Sequence, residues 1–246
     1  MNIDDLYKDL LKDVLKNGEL RETRNGHTLS LFGTSLTFDM EKIGLPVLSL
    51  RRIFTKGIVG EFRGFLADAK TVQEFEELGC PYWKLWAKED GSLNLDYPPR
   101  EQLDAVIESI KNDPMSRRHI INLWDHTHLD DLSLPCCHFN YQFYVRNGKL
   151  DMIWTQRSVD IMVGLPSDFI LAALYVKHIS ASTGLNLGRI TMNFGDTHIY
   201  EEHITDVTRM IERSSVKYFQ NWSYDGKHIS MPNYEPKSAI KFLLKD

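Results

Sequence analysis

Residues 139–156 read Phe-Asn-Tyr-Gln-Phe-Tyr-Val-Arg-Asn-Gly-Lys-Leu-Asp-Met-Ile-Trp-Thr-Gln. Two β-rich runs, 139–145 and 150–156, flank the dipeptide Asn147-Gly148. Such a dipeptide between β-rich runs is the strongest short-range signal for a hairpin. The stretch therefore predicts two antiparallel strands, in which the start of the first strand faces the end of the second.

A thiol, an imidazole and a guanidinium are expected to meet at the open end of this hairpin. Cys137 and His138 precede the first strand, and Arg157 follows the second. A lone cysteine is usually a small buried hydrophobe. A reactive cysteine needs cationic or donor groups that stabilise its thiolate. Because the predicted hairpin brings such groups together, Cys137 is a candidate nucleophile.

Charged and aromatic residues elsewhere in the chain each allow two interpretations. The adjacent Arg117 and Arg118 form either a solvated surface pair or a bidentate phosphate site. Glu61 lies in an apolar helical pattern, so it is either ion-paired or functional, because a buried carboxylate is costly. Trp83 and Trp86 are either core residues or a surface on which a flat heterocycle stacks.

Periodicity along the chain predicts helices and strands in mixed order. We expect helices at residues 3–15, 53–66, 100–111, 166–182 and 197–213, and strands at 119–124 and 190–194. Residues 28–38 contain Gly33 and predict two short strands around a turn. The lack of a regular strand–helix alternation favours an α+β fold with a mixed sheet. Without a repeat or a linker, residues 1–246 are expected to form a single domain.

The bulk composition argues against several functional classes. A chain of 246 residues with 42% hydrophobic and 26% charged residues is ordinary for a globular protein. Its net charge of -5 argues against a general nucleic-acid binder. No apolar run approaches the ~18 residues of a membrane helix, and the N-terminus does not resemble a secretory signal. Three cysteines without a Cys-x-x-Cys pair predict neither a disulfide framework nor a metal site. We therefore expect a cytoplasmic protein.

Three motifs make the chain similar to the thymidylate synthase family over nearly its whole length. They are Leu134-Pro135-Cys136-Cys137-His138, Gln156-Arg157-Ser158-Val159-Asp160 with Gly164-Leu165-Pro166, and Gly195-Asp196-Thr197-His198-Ile199-Tyr200. The resemblance implies a thymidylate synthase-like α+β fold, with a mixed sheet, helices packed on one face, and a homodimer that pairs sheet to sheet. It also implies a pyrimidine nucleotide substrate and 5,10-methylenetetrahydrofolate as cosubstrate, without a metal.

The same resemblance implies a role for each matching residue. Cys137 resembles the nucleophile that adds to C6 of the pyrimidine, and the further catalytic residues would be Glu61, Tyr97 and His138. The implied nucleotide ligands are Arg24 (or Arg21), Gln156, Arg157, Ser158, His198 and Tyr200. Two more phosphate ligands would come from the partner subunit, namely Arg117 and Arg118. The residues that resemble the folate site are Trp83, Trp86, Asp160 and Gly164.

Asp168 departs from the synthases, which carry asparagine at the matching position. An asparagine amide answers both the N3–H donor and the O4 acceptor of uracil, whereas an ionised carboxylate cannot donate. A carboxylate can accept from the N4 amino group of cytosine and share a proton with N3. Asp168 is therefore either a helix cap or a selector of dCMP, and a site built for one pattern rejects the other by roughly 10⁴-fold. The resemblance is then greatest to the dCMP 5-hydroxymethylases of bacteriophages.

The expected product is 5-hydroxymethyl-dCMP, formed through a Cys137–C6 adduct with tetrahydrofolate as coproduct. The alternatives are 5-methyl-dCMP with dihydrofolate, ordinary thymidylate synthesis from dUMP, and a non-catalytic RNA-binding protein of this fold. The synthases close their site with a small apolar C-terminal tail. The charged residues at 240–246 favour a wetter site and hence hydroxymethylation. Ribose and deoxyribose are not distinguished by these residues.

Overall fold

The computed structural model describes residues 2–216, 221–242 and 245. Its helices are α1 (Ile3–Asn17), α2 (Met40–Ile43), α3 (Thr55–Leu66), α4 (Val72–Glu77), α5 (Arg100–Asn112), α6 (Leu165–Thr183) and α7 (Ile204–Glu212). Its strands are β1 (Glu19–Thr23), β2 (Gly26–Asp39), β3 (Ile120–Asn122), β4 (His138–Arg146), β5 (Lys149–Asp160), β6 (Asn186–Tyr200), β7 (Ser223–Tyr224) and β8 (Ile229–Ser230). Short 3₁₀ turns cover Trp83–Trp86, Leu129–Asp131 and Glu201–His203.

The described strands form a six-stranded sheet of order β1-β2-β6-β5-β4-β3 and a separate β7-β8 pair. All neighbours in the large sheet are antiparallel except β5 and β6, which are parallel. Because parallel neighbours need a long crossover, α6 lies between β5 and β6 in the chain. These features confirm the predicted α+β fold with a mixed sheet.

The β4–β5 hairpin forms as predicted. Arg146 pairs with Lys149 beside the turn, and His138 pairs with Gln156 at the open end. Asn147 and Gly148 both have positive φ, of 52° and 70°, as the tight turn requires. The hairpin therefore brings the strand that begins after Cys137 against the end of β5.

One face of the sheet carries the core and the other is open in the single chain. Along β5, Leu150, Met152 and Trp154 are buried, while Ile153 between them is 40% exposed. Helix α6 packs on the covered face of β5 and β6, and α1 packs against β2. Tyr144 of β4, 45% exposed, shares the open face with Ile153, since both lie out of phase with the buried positions.

Two element predictions were wrong. Residues 28–38 form no hairpin, because β2 runs through Gly33, and both Phe32 and Thr34 keep their partners on β6. Gly33 has φ +81°, so the left-handed residue deforms a continuous strand instead of closing a turn. Residues 197–200 are not helical either: β6 continues to Tyr200, which pairs with Thr28. Sheet pairing overrides the local helical pattern there.

Helix α6 is the longest of the described helices. Its 19 residues end at Gly184, whose φ of +74° gives a left-handed cap. None of the helices in the described ranges combines the length and apolarity that a membrane crossing requires.

Candidate active site

A cavity of about 720 Å³ lies where the ends of β5 and β6, the start of α6 and the Trp83–Trp86 turn meet. Most of the residues singled out in the sequence line it: Arg24, Glu61, Trp83, Trp86, Tyr97, Cys137, His138, Gln156, Arg157, Ser158, Asp160, Gly164, Asp168, His198 and Tyr200. Between the alternatives Arg24 and Arg21, only Arg24 is among the lining residues. Arg117 and Arg118 do not line this cavity; both are exposed between α5 and β3.

Cys137 is held between a tyrosine and an arginine. Its backbone N–H donates to the Tyr97 hydroxyl at 2.8 Å. The guanidinium of Arg157 lies 3.8 Å from its sulfur, and the same side chain donates to the carbonyls of Cys136 and Pro135 at 2.9 and 2.8 Å. These bonds fix the guanidinium against the loop that carries the thiol, as the hairpin predicted.

The thiol and the imidazole are both uncharged in the free cavity. Burial raises the pKa of Cys137, while Arg157 and Tyr97 act to lower it. Burial lowers the pKa of His138 to about 3, so its ring is neutral at physiological pH. The His138 Nδ1 lies 2.5 Å from the Tyr141 hydroxyl, which fixes the ring and keeps it out of a thiolate–imidazolium pair. Arg157 is therefore the cation available to the thiolate.

Asp168 lies in the first turn of α6 and is 9% exposed. Its Oδ2 accepts from Gln156 Nε2 at 2.9 Å, and Gln156 Oε1 in turn accepts from Trp154 Nε1 at 2.9 Å. Burial raises the pKa of Asp168 to about 7; Gln156 lowers it in part, and the charge of Asp160 raises it. Near neutral pH the Asp168 carboxyl is therefore present in both its neutral and its ionised form.

Glu61 lies on α3 and faces the same cavity. Burial, and then the charge of Asp168, raise the pKa of Glu61 to about 8, and the indole of Trp83 lowers it in part. Of its two sequence interpretations, ion pairing is excluded within the described residues, because no salt bridge there involves it. A partly buried acid without an ion-pair partner that keeps its proton near neutrality is a suitable proton carrier.

Asp196 is a site residue that the sequence interpretation did not single out. Its Oδ2 lies 2.7 Å from His198 Nδ1 and accepts from the Ser158 hydroxyl at 3.1 Å. Ser30 donates to its other carboxylate oxygen. Burial would raise the pKa of Asp196, but these hydrogen bonds outweigh it and the pKa falls. Asp196 therefore orients both His198 and Ser158 toward the cavity.

The aromatic wall of the cavity has the features of a site for a flat heterocycle. The rings of Trp83 and Trp86 lie with centroids 5.6 Å apart. The Trp86 indole nitrogen is buried and has no hydrogen-bond partner among the described residues. Asp160 also lines the cavity, and its Oδ1 accepts from the N–H groups of Met162 and Val163 at 2.8 and 3.2 Å. Aromatic faces beside polar groups are suited to stacking of a flat heterocycle.

Similarity to known proteins identifies the family of this chain. The thymidylate synthase family model matches residues 5–244. A thymidylate synthase of Corynebacterium aurimucosum is 31% identical over 256 residues, which cover 96% of this chain and 95% of that protein. The chain belongs to the thymidylate synthase family. As a family member it is a one-carbon transferase, and the cosubstrate of the family is 5,10-methylenetetrahydrofolate.

This thymidylate synthase family member has further lining residues that its sequence did not reveal. Arg51 donates to the Met162 carbonyl, and its guanidinium lies 5.1 Å from the ring centroid of Phe242. Lys245 also lines the cavity. The signal for Arg51 was weak because Arg51-Arg52 looks like a solvated pair. Of the C-terminal residues predicted to keep the site wet, 243, 244 and 246 lie outside the described residues.

No group of three metal-binding side chains is found among the described residues. The groups that the cavity offers for chemistry include a thiol, two imidazoles, arginines and four carboxyl groups, those of Glu61, Asp160, Asp168 and Asp196.

Proposed function

We propose that this enzyme transfers a one-carbon unit from methylenetetrahydrofolate to C5 of dCMP and releases 5-hydroxymethyl-dCMP. The observation that carries the proposal is Asp168, a buried carboxyl that lines the cavity with Cys137 and is held by Gln156. Its negative charge acts on the thiol of Cys137, so both groups can address one pyrimidine ring. This assignment corresponds to the phage dCMP 5-hydroxymethylases within the family.

The charge state of Asp168 explains how the base would be selected. When ionised, it accepts from the N4 amino group of cytosine and shares a proton at N3, which gives two charge-assisted hydrogen bonds. Uracil presents N3–H and O4 instead, and O4 would face a carboxylate oxygen without a proton between them. Protonation at N3 also withdraws electrons from the ring and favours addition of a thiolate at C6.

The proposed reaction begins when the Cys137 thiolate adds to C6, which makes C5 nucleophilic. Arg157 stabilises the thiolate, and Tyr97 holds the backbone of Cys137 in place. C5 then takes up the one-carbon unit and loses its proton to Glu61, which lines the cavity and would act through water. Expulsion of tetrahydrofolate leaves an exocyclic methylene on C5 of the pyrimidine. Water adds to this methylene, Cys137 leaves C6, and the hydroxymethyl nucleotide is released.

The remaining lining residues supply the binding groups of the nucleotide. Arg24, Arg157 and Ser158 would hold the 5′-phosphate, with Arg117 and Arg118 of a second chain. His198, oriented by Asp196, and Tyr200 would bind the 3′-hydroxyl of the sugar. The two arginines are exposed and outside the cavity of their own chain, and the open sheet face supports a homodimer.

The folate would lie against Trp83 and Trp86, with Asp160 and Gly164 at the far end. When bound, it supplies a methylene group at the oxidation level of formaldehyde. The buried Trp86 indole nitrogen has no hydrogen-bond partner among the described residues, so it could donate to a carbonyl of the ligand. Lys245 at the cavity wall is paired with Glu202 at 3.0 Å. A charged group there favours access of water, and therefore the hydroxymethyl product over the methyl product.

Comparing the turnover of dCMP and dUMP tests the proposal. The parent enzyme should prefer dCMP by roughly 10³–10⁴-fold in kcat/KM, and Asp168→Asn should reverse the order. The product mass then distinguishes a hydroxymethyl from a methyl group, with tetrahydrofolate or dihydrofolate as coproduct. A parent enzyme that prefers dUMP would instead be a thymidylate synthase, as its Corynebacterium relative is named.

A further inference from the structure

Trp154 lies behind the cavity wall and touches the base-selecting acid only through Gln156. It is fully buried on β5 and is not among the residues that line the cavity. Its ring stacks on Tyr141, with centroids 4.6 Å apart and planes 14° from parallel. It also lies against His138, 4.4 Å between centroids. These contacts hold the indole plane in one orientation.

The indole nitrogen determines which way the Gln156 amide points. A glutamine amide can present either its oxygen or its NH₂ group to a neighbour, because the two ends have the same shape. An indole N–H is a donor only, so the Trp154 bond of 2.9 Å keeps Oε1 on its own side. The NH₂ group must then face Asp168, where it donates at 2.9 Å.

We propose that Trp154 is a positioning residue for substrate specificity, because it fixes the Gln156 amide and thereby the form in which Asp168 meets the base. This inference rests on the proposed selection of dCMP. An NH₂ group at Oδ2 favours an ionised Asp168, which accepts from cytosine and rejects uracil. A reversed amide would present Oε1 and favour a protonated Asp168. A protonated acid can donate to O4 of uracil, so discrimination would weaken.

The direction of the effect on Asp168 follows from this geometry. The Gln156 hydrogen bond is the contact that lowers the pKa of Asp168 against burial. Without the indole donor the amide is free to reverse, and the pKa of Asp168 should rise by about one pH unit, as expected for loss of one hydrogen bond to a charged group. The preference for dCMP over dUMP should fall by about tenfold.

The experiment uses the full-length enzyme and two substitutions at position 154. Trp154→Phe removes the donor and keeps an aromatic ring in the stack. Incorporation of 3-benzothienylalanine at the same position replaces only the N–H by sulfur and keeps the indole volume. The first readout is a carbon-13 NMR titration of aspartate carboxyls without substrate, in which the Asp168 signal is assigned by its loss in Asp168→Asn. The second readout is kcat/KM for dCMP and dUMP.

Tyr175→Phe is the matched control. Tyr175 lies in the same aromatic cluster, 6.3 Å from Trp154 between ring centroids, and its buried hydroxyl has no partner among the described residues. Losing this hydroxyl perturbs the cluster without touching Gln156. The control should leave both the Asp168 titration and the dCMP preference at their parent values.

The possible outcomes separate this inference from the proposed function. An Asp168 titration that is the same in the benzothienyl enzyme and the parent would overturn the role of Trp154, even if dCMP is preferred. A parent enzyme that prefers dUMP would overturn the proposed function, whatever the titration shows. If Trp154→Phe does not fold, the benzothienyl enzyme decides, because it preserves the packing.

Discussion

At the residue scale, the cavity holds two carboxyl groups that keep protons near neutral pH. Burial raises the pKa of Glu61 to about 8 and that of Asp168 to about 7. Neither has a cationic partner in the described ranges. Ionisation of either carboxyl group is therefore unfavourable in the free enzyme. A ligand that supplies a proton or a hydrogen-bond donor would lower this free-energy cost. The ionisation of these carboxyl groups should therefore affect the free energy of unfolding of the ligand-free protein.

Replacing Asp168 by asparagine should stabilise the free protein in a pH-dependent way. Its folded pKa of about 7 lies above the ordinary value of 3.8, so the folded state loses stability as the pH rises toward 7. Asparagine does not ionise, and its stabilisation should grow by about 2–3 kcal/mol between pH 5 and pH 8. Chemical or thermal unfolding at both pH values measures this. An equal gain at both would contradict the raised pKa.

Cys137 should form a covalent adduct that can be trapped with 5-fluoro-dCMP. A fluorine at C5 cannot leave as a cation, so the reaction should stop after addition at C6 and transfer of the one-carbon unit. Mass spectrometry of the intact protein, incubated with methylenetetrahydrofolate, should show the added mass of both ligands. Cys137→Ala should abolish turnover and the adduct, whereas Cys80→Ala, a buried cysteine outside the cavity, should retain the adduct. Labelling of the Cys137→Ala variant would place the nucleophile elsewhere.

The residues that sequence could reveal are those whose chemistry is local. Cys137 stands in a recognisable motif, and Asp168 is conspicuous as an acid where an amide is expected. Trp154 and Asp196 were missed because their functions depend on contacts that form only in the fold. Asp196, for example, receives the hydroxyl of Ser30 from the neighbouring strand. The hydrophobic pattern predicts that Trp154 is buried, but it does not predict the direction of its indole N–H.

At the scale of elements, the site depends on the two parallel strands β5 and β6. Both strands end in residues that line the cavity. The predicted strands were too short because sheet pairing extends β6 to Tyr200. The hairpin was predictable because its turn is local, whereas the full length of β6 is stabilised by partners on β2 and β5. The strands approach closely at Gly195, where an added Cβ would lie 2.5 Å from the Arg157 carbonyl oxygen.

Gly195→Ala should therefore damage the site beyond its effect on stability. The methyl group would push β6 away from Arg157, beside the nucleophile, at a cost of about 1–3 kcal/mol. Gly188→Ala is the matched control: its Cβ would lie 2.6 Å from the Leu150 carbonyl oxygen, at the far end of the same strand pair. Both variants should unfold at lower temperature, but only Gly195→Ala should lose most of its kcat/KM while folded. Equal activities at equal stability would argue against this close approach as a requirement of the site.

At the scale of the whole molecule, the single chain has an open sheet face and two exposed arginines that lie outside its cavity. Ile153 and Tyr144 are 40% and 45% exposed on that face. Exposed apolar groups grouped on one surface are typical of an interface. Arg117 and Arg118 are likewise exposed and remote from their own cavity. A two-fold pair would cover the face and carry the arginines to the partner. This pairing stays a prediction from sequence resemblance, because composition and periodicity carry no information on it.

Mixed dimers test the shared site. Cys137→Ala and the double variant Arg117→Ala/Arg118→Ala should each be nearly inactive alone. After the two are unfolded and refolded together in equal amounts, random pairing should restore about a quarter of the parent activity, because half of the pairs then contain one complete site of two. Refolding each variant by itself is the control. A mixture that stays inactive, or a double variant that is active alone, would contradict the exchange of arginines.

The distance between Arg117 and the cavity of its own chain has a consequence for heredity. If the arginines serve the neighbour, two alleles with different lesions in one cell can rescue each other. A single damaged allele that folds normally would cost one of the two sites in each mixed dimer, so about half of all sites would remain, as after loss of one allele. Mutations in this gene would then have to be interpreted by pairs of alleles, not one at a time.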